Sequence, residues 1–484
     1  MAVFQNNLLM GASSQGGASV HEIGQSILFN DDDSPFMYRT PTGTGNRRTW
    51  SINCWVKLCN SPGDFTLWSV HTGYQSYAQI RSDGLEFAVG NGSSSNSYHK
   101  TNRVFRDSSA WYNFLFVFDS TNAISSERAR IYVNGQRETS FSNTGSWAQN
   151  YDSNVNFTQA HYIGEQGTGG NHLDGYLADF VIIDGLALDP SSFGETNNKG
   201  IWVPKDISEL TFGTNGVFID GRNAGQLGND ESSNGNDFST SGLDSADQSP
   251  DTPTNNFTTM NVLDNYPQQG VFSKGNLQIV SAFSQYGSHT STMGVNKGKW
   301  YAELKWTSQG SSPSGYYSNT HWGIVGSVDT LSSIGVGLRA DSYCYIGTTV
   351  GSGEEGGKKK NNGTATAYGA DYHVNDIIGI ALDLDNNKIY WSKNGTWQNS
   401  GNPESGATGT GSAFDLTTPS SGFYYFAVSD QHGASTSTWQ INFGSVPPYT
   451  ISSGNSDGNG YGNFEYAVPS GYYSVCTKNI SEFG

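Results

Sequence analysis

Residues 129–138 read ARIYVNGQRE, and residues 387–398 read NKIYWSKNGTWQ. Both place Asn-Gly directly after a run of alternating residues. Asn-Gly favours a type I′ turn, because that turn needs φ > 0 at both central residues, and its twist matches that of paired strands. In the first stretch Ala129, Ile131 and Val133 share one face, and Arg130 and Tyr132 share the other. In the second, Ile389 and Trp391 share a face opposite Lys388, Tyr390 and Ser392. This period of two belongs to strands with one buried face. Each stretch is therefore predicted to be a hairpin on a half-buried antiparallel sheet.

Working outward, TWSINCWVKL (49–58) points Trp50, Ile52, Cys54, Val56 and Leu58 inward. AWYNFLFVFD (110–119) sets Trp111, Leu115 and Val117 against Tyr112, Phe114, Phe116 and Phe118. Both its faces can be buried, as in a sandwich strand with extra cover. Farther on, GKWYAELKW (298–306) aligns Trp300, Ala302, Leu304 and Trp306. DIIGIALDLDNNK (376–388) aligns Ile378, Ile380, Leu382 and Leu384 before turning at Asp-Asn-Asn. The predicted fold is all-β: two antiparallel jelly-roll sandwiches, at 21–200 and 266–450. Between them, 201–265 is polar and acidic and reads as a linker, with Val217-Phe218-Ile219 available as an added edge strand. Residues 1–20 read as an arm, and 451–484 as a Gly/Ser-rich tail.

Composition agrees. The 484 residues include 61 Gly, 26 Tyr, 25 Phe and 12 Trp, and no long stretch has helical periodicity. A net charge of −18 argues against nucleic acid as a partner, since phosphate binding needs a basic face. Cys54, Cys59, Cys344 and Cys476 form no CxxC and are predicted to be free, partly buried thiols. The opening MAVFQNNLLMGASSQGGAS lacks the basic and apolar regions of a signal peptide, and nothing approaches a membrane span. Synthesis in a cytoplasm without membrane insertion is expected.

SILFNDDDSPFMYR, TWSINCWVKL, WYNFLFVFD, ARIYVNGQ, HYIGE and LDGYLADFVIID together resemble a laminin-G-like, concanavalin A-like domain over about 25–195. GKWYAELKW, WGIVG, DIIGIALDLDNNKIYWSKNGTWQNSGNP, FYYFAVSD and NFG resemble a SPRY domain over roughly 270–445. Both families fold as antiparallel sandwiches, so two related architectures each use the hairpin. The arrangement, with MAVFQNNLLMGA, GNDESSNGNDF, DTPTNNF and GYYSVCTKNISEFG, is similar to tail-fibre and other virion proteins of marine bacteriophages. That resemblance implies a non-enzymatic virion component that attaches to a host surface glycan or protein. It implies virion (tail) localisation, assembly in the host cytoplasm, and mounting on other tail proteins through the N-terminal arm. A homo-oligomer, a trimer by analogy with phage fibres, is also implied. The alternatives are a structural spacer or decoration of the virion, a bacterial glycan-binding adhesin and, most remotely, a polysaccharide hydrolase.

Hydrolysis lacks its residues. No E-x-D-x-E occurs, Glu303 stands alone on its strand, and Glu354-Glu355 sit in a Gly-rich loop; a retaining site needs two carboxyls about 5–5.5 Å apart. GNSDG (454–458) matches G-x-S-x-G but has no strand–turn–helix setting. DLDNNK (383–388) opens like a Ca²⁺ loop, yet Lys388 and Asn394 replace its Gly and Glu, so it reads as a turn. Asp31, Asp32 and Asp33 follow the first strand and are the candidates for a Ca²⁺ site. Lys358, Lys359 and Lys360 are read as a solvated loop able to meet an acidic glycan. Tyr316, Tyr317 and His321 are candidate sugar contacts, with Trp322 beginning a core strand. The nine His are expected mostly at the surface or in loops.

Overall fold

The computed structural model describes residues 21–484 apart from 60–62, 71–74, 93–96, 168, 265–269, 282–287, 311–318, 328–334, 349–355 and 431–435. The chain divides into two compact units, and the boundary falls between Asn256 and Phe257. Nearly all the regular structure is strand, and the α-helix among the described residues is Thr477–Phe483. Among the described residues, no helix is long and apolar enough to cross a membrane.

The first unit is a sandwich of two antiparallel sheets. One runs, edge to edge, through Gln136–Arg137, Ala129–Val133, Trp111–Asp119, Thr49–Leu58, Gly175–Asp184, Ser26–Phe29 and Gln248–Ser249. The other runs through Phe141–Asn143, Ser97–Thr101, Gly84–Val89, Ser76–Arg81, Phe65–Val70, His161–Ile163, Phe36–Arg39 and Ser239–Ser241. The alternation read from 49–58 holds, because Trp50, Ile52, Cys54, Val56 and Leu58 all enter the core between the sheets. They pair with the inward Phe of 111–119, as in Trp50 with Phe118 and Ile52 with Phe116. The Trp50 and Phe118 rings stack at 5.4 Å, and Trp68 meets Trp50 edge-on at 5.9 Å. Leu115, Val117, Tyr132, Phe193 and Phe212 form a second cluster on the outer side of the same sheet, which is the extra cover expected for strand 111–119.

Residues 201–256 are not a linker. Val217–Ile219 pairs with Phe180–Ile182, Ser239–Ser241 extends the second sheet beside Phe36–Arg39, and Gln248–Ser249 closes the first sheet beside Ser26–Phe29. Polar side chains supply the hydrogen bonds that a strap with only short strands cannot make with its own backbone. Asp230 accepts from the N–H groups of Phe218, Ser232 and Asn236 at 2.8–2.9 Å. Lys57 and Asp251 form a buried ion pair at 2.7 Å that fastens the strap to the first sheet.

The second unit has the same two-layer plan. One sheet contains Gln278–Val280, Ser437–Asn442, Lys299–Gln309, Ile377–Asp383 and Lys388–Lys393, and the other contains Tyr425–Asp430, Thr320–Val325, Ser342–Gly347 and Lys358–Asn361. Trp300, Trp306, Trp322, Trp391 and Trp439 are fully buried between them. The presumed C-terminal tail is also structural. Tyr473–Ser474 adds a parallel pairing to Lys299–Gln309, and Thr258 donates to the Val475 carbonyl at 3.0 Å. Glu303, the lone acid on its strand, is buried and accepts from the Tyr301 and Tyr449 hydroxyls and from the N–H groups of Glu465 and Tyr466 at 2.9–3.0 Å. It is thus an anchor for that segment.

Among the described residues, an Asn-Gly turn between directly paired strands occurs three times. Asn134-Gly135, Asn362-Gly363 and Asn394-Gly395 all have positive φ at both positions and join directly paired residues. At Gly135 a side chain is excluded twice, because φ is +74° and a Cβ would lie 2.4 Å from the Trp202 ring.

Candidate functional site

The two sheets of the first unit end, on one side, in Gln136–Arg137 and Phe141–Asn143. The chain passes between these terminal strands through residues 138–140, so a cleft remains where the layers meet. That cleft is a groove of about 510 Å³. Its walls include the Ser125–Glu127 turn, Ala129, Arg130, Arg137 and Glu138 on one side and His99, Phe141 and Gly145 on the other.

The floor is aromatic and its orientation is fixed. The His99 and Phe141 rings stack at 4.8 Å, and Trp147 meets His99 edge-on at 5.1 Å. His99 Nδ1 accepts the Gly145 N–H at 3.1 Å, which requires the neutral ring. Burial pushes the His99 pKa below its ordinary value and favours the same state. The rim is ionic. Arg137 makes a bidentate pair with Glu127 at 2.8 and 2.9 Å, and Glu138 accepts from Arg103 at 2.7 Å. Ser125, Ser126 and Thr139 are exposed hydroxyls beside these charges. Fixed polar groups around a flat apolar surface can bind a polyhydroxylated ring, whose C–H face packs while its hydroxyls find donors and acceptors.

The residues singled out in the sequence lie elsewhere. Tyr316, Tyr317 and Glu354-Glu355 lie outside the described residues. His321 is buried within Thr320–Val325, its Nδ1 2.9 Å from the Val336 carbonyl oxygen, so it is no surface sugar contact. Lys358, Lys359 and Lys360 belong to a strand rather than a solvated loop. Lys360 is buried; Lys359 hydrogen-bonds to the Ala413 carbonyl and lies 4.7 Å from the centre of the Phe414 ring. Long aliphatic stems let lysines take this position, which a count of charges does not reveal. Several His are also core residues rather than surface ones, among them His99, His161, His289 and His321. Asp31, Asp32 and Asp33 form an exposed 3₁₀ turn ended by Ser34 at φ +51°. Among the described residues, no group of three or more His, Cys, Asp or Glu is arranged to hold a metal ion. Asp383 caps its turn by accepting from the Asn386 N–H and amide at 3.0 and 2.8 Å, as turn chemistry requires.

Groove residues Arg130, Arg137 and Glu138 lie within or beside the very hairpin that decides the fold. The signal for Arg130 was present as a charge on the strand face opposite Ala129, Ile131 and Val133, whereas Glu138, in register with Ile131, is not on that face. His99 and Phe141 carried no such signal, since only the meeting of two sheet edges brings them together.

Among proteins of known sequence, an ATP-dependent RNA helicase of Xenopus laevis, DDX1, is 35% identical over 106 residues, which are 22% of this chain and 12% of the helicase. The chain therefore spans about an eighth of that relative's length. Among solved structures, the SPRY domain of human HERC1 is similar at 14% identity and a TM-score of 0.26, covering 38% of this chain and 96% of that one. A Bacteroides ovatus protein described as carbohydrate-binding is similar at 16% identity and a TM-score of 0.29, covering 46% and 58%. Residues 37–191, which include the whole groove, match the family model of the laminin G type in the concanavalin A-like lectin/glucanases superfamily, so the first unit carries a lectin-like jelly-roll domain.

Proposed function

We propose that the protein is a non-enzymatic glycan-binding component of a bacteriophage virion, attaching a tail appendage to a host-surface saccharide through the groove of its first unit. The observation that carries the glycan reading is the groove itself: an oriented His99–Phe141 floor and a rim of fixed charges and hydroxyls, within the lectin-like domain. The virion assignment rests on the sequence resemblance to phage tail-fibre proteins. In this reading residues 1–20, which lie outside the described residues, mount the chain on other tail proteins. The second unit, read as SPRY-like, serves as a spacer or a further display surface. Weak sites suit such an appendage, because several linked copies, as in a trimer, raise avidity by about 10²–10⁴-fold.

The test is a glycan array probed with the full chain and with Ser126→Trp and Thr139→Trp. Both positions line the groove and are exposed, so the indole fills the groove without entering the core. Binding by the native chain and its loss in both variants is the expected result. Binding that survives both substitutions, or no glycan bound at all, overturns the assignment.

A further inference from the structure

We infer that the strand Thr364–Ala367 is a self-association edge: it pairs antiparallel with the same strand of a second copy of this chain, across a two-fold axis at Thr366. This stands apart from the glycan reading of the groove. Lys358–Asn361 and Thr364–Ala367 are the last two strands of their sheet, joined by Asn362-Gly363. Their register is unbroken, from Asn361 opposite Thr364 to Lys358 opposite Ala367. Among the described residues, Thr364–Ala367 pairs on one side only. The turn decides which backbone groups the other side offers. In a two-residue hairpin the residues flanking the turn exchange both hydrogen bonds, and bonded and non-bonded pairs then alternate. Thr364 and Thr366 therefore aim N–H and C=O at Lys358–Asn361. Tyr368, next in step, donates its N–H to the Gly357 carbonyl at 3.1 Å, which fixes that parity. Ala365 and Ala367 aim theirs away from the sheet.

Open strand edges are kept from pairing by shortness, charge, Pro or a bulge. Among the described residues, every other terminal strand of the four large sheets is two or three residues long. Thr364–Ala367 has four residues, with no charge, no Pro and no bulge, and Thr364, Thr366 and Ala367 are exposed. A copy of the same strand fits this edge. With Thr366 opposite Thr366, Ala365 of each chain meets Ala367 of the other, and each such pair exchanges two hydrogen bonds. Only Thr and Ala side chains meet at these positions, so neither copy must displace bulk. Charge favours this place as well. The chain carries −18, yet residues 358–367 hold Lys358, Lys359 and Lys360 and no acid. The two lysine strands would lie three strand spacings apart, about 14 Å, beyond the screening length of about 8 Å at physiological salt. One short edge is a small contact beside the roughly 1,200–2,000 Å² of a stable interface, so the pairing is weak and gains where copies are already held together.

The experiment traps the pairing by disulfide formation in the full chain at about 100 µM, where a weak contact is populated. Thr366→Cys is compared with Thr364→Cys. Across a non-hydrogen-bonded pair the two Cα atoms of position 366 are about 4.5 Å apart, within disulfide range, whereas those of position 364 are about 14 Å apart. The four native Cys are buried and do not compete. Oxidation should give a covalent dimer in Thr366→Cys and about tenfold less in Thr364→Cys. Sedimentation of the native chain should show self-association that Ala367→Pro weakens by about tenfold with Tm unchanged, because the N–H it removes points away from the hairpin. Thr366→Lys sets two ammonium groups face to face at an exposed position and should weaken association likewise, which covers a failure of Ala367→Pro to fold. Equal trapping at 364 and 366 marks random collision and overturns the two-fold register. Association unaffected by both Ala367→Pro and Thr366→Lys places the contact elsewhere and overturns the inference. A chain that stays monomeric and untrapped leaves the edge to a strand of another protein and overturns it too.

Discussion

Replacing Asp251 by Ala tests whether the strap 201–256 is part of the unit that holds the groove. Asp251 has no exposed side-chain surface and Lys57 has 1%, and their charges meet at 2.7 Å. Trp111 Nε1 donates to the other Asp251 oxygen at 3.1 Å, and Asn256 accepts a second bond from Lys57 at 2.7 Å. Removing the carboxylate takes away the charge that meets the buried Lys57 ammonium, which keeps the Asn256 amide oxygen and the Tyr176 ring, its centre 5.6 Å away, as neutral neighbours. Breaking one side of such a pair costs about 3–5 kcal/mol, mostly as the penalty for the stranded charge. With a urea slope of about 3 kcal/mol/M for a domain of this size, the midpoint should fall by roughly 1–1.7 M. Removing both charges in Lys57→Met/Asp251→Leu leaves no stranded charge, and only the neutral Trp111 N–H and Asn256 amide lose these partners, so the double variant should recover much of the loss. The readout is urea unfolding followed by hydrogen exchange of peptides from 49–58, which report on the first unit alone. A loss below about 1 kcal/mol, or a double variant as weak as Asp251→Ala, refutes the argument, because a stranded buried charge could not then be the cause.

Further outcomes follow from the same packing. Residues 225–250, hydrogen-bonded through Asp230 and paired at Ser239–Ser241, should resist limited proteolysis as long as strands 49–58 and 111–119 do; early cutting there would restore the linker reading. Burial lowers the pKa of His161 and of His289 from 6.5 to about 4. Both folded states therefore bind fewer protons than the unfolded chain between those values, and stability present above pH 6.5 is lost as pH falls toward 4, by about 3 kcal/mol for each His. His161 weakens the first unit and His289 the second, so unchanged unfolding midpoints between pH 7 and 4 would contradict both assignments. Trp391→Ala should cost the second unit about 3–5 kcal/mol through its cavity, and glycan binding by the groove should be unchanged. Deleting residues 2–20 should leave both units folded but absent from particles; normal incorporation of the truncated chain would end the mounting role.

Alternation over 49–58, 111–119, 129–133, 299–306 and 376–384 was enough to assign an all-β fold and to say which side chains face the core. Period two leaves each strand one way to bury its apolar set, and Asn-Gly leaves the chain one tight way to turn. That reasoning depends on runs long enough to show a period. It failed for 201–256 and 451–484, where strands of two or three residues are held by Asp230, Asp251 and Glu303. In a sequence Asp230 and Asp251 are acids in polar surroundings and Glu303 a lone acid on an apolar strand; in the folded chain they are acceptors for backbone N–H groups, lysine and tyrosine from distant segments. Lys358–Asn361 failed for a related reason, since whether a lysine stem lies along a sheet or in water depends on neighbours far away in the chain. The groove is the extreme case. Arg130 and Arg137 could be placed on the outer face of a hairpin from their parity alone, but the His99 and Phe141 rings of the groove come from the opposite sheet. A cleft between two sheet edges exists only once both sheets have formed, and tertiary structure alone decides which charges there find partners, as Arg137 does with Glu127.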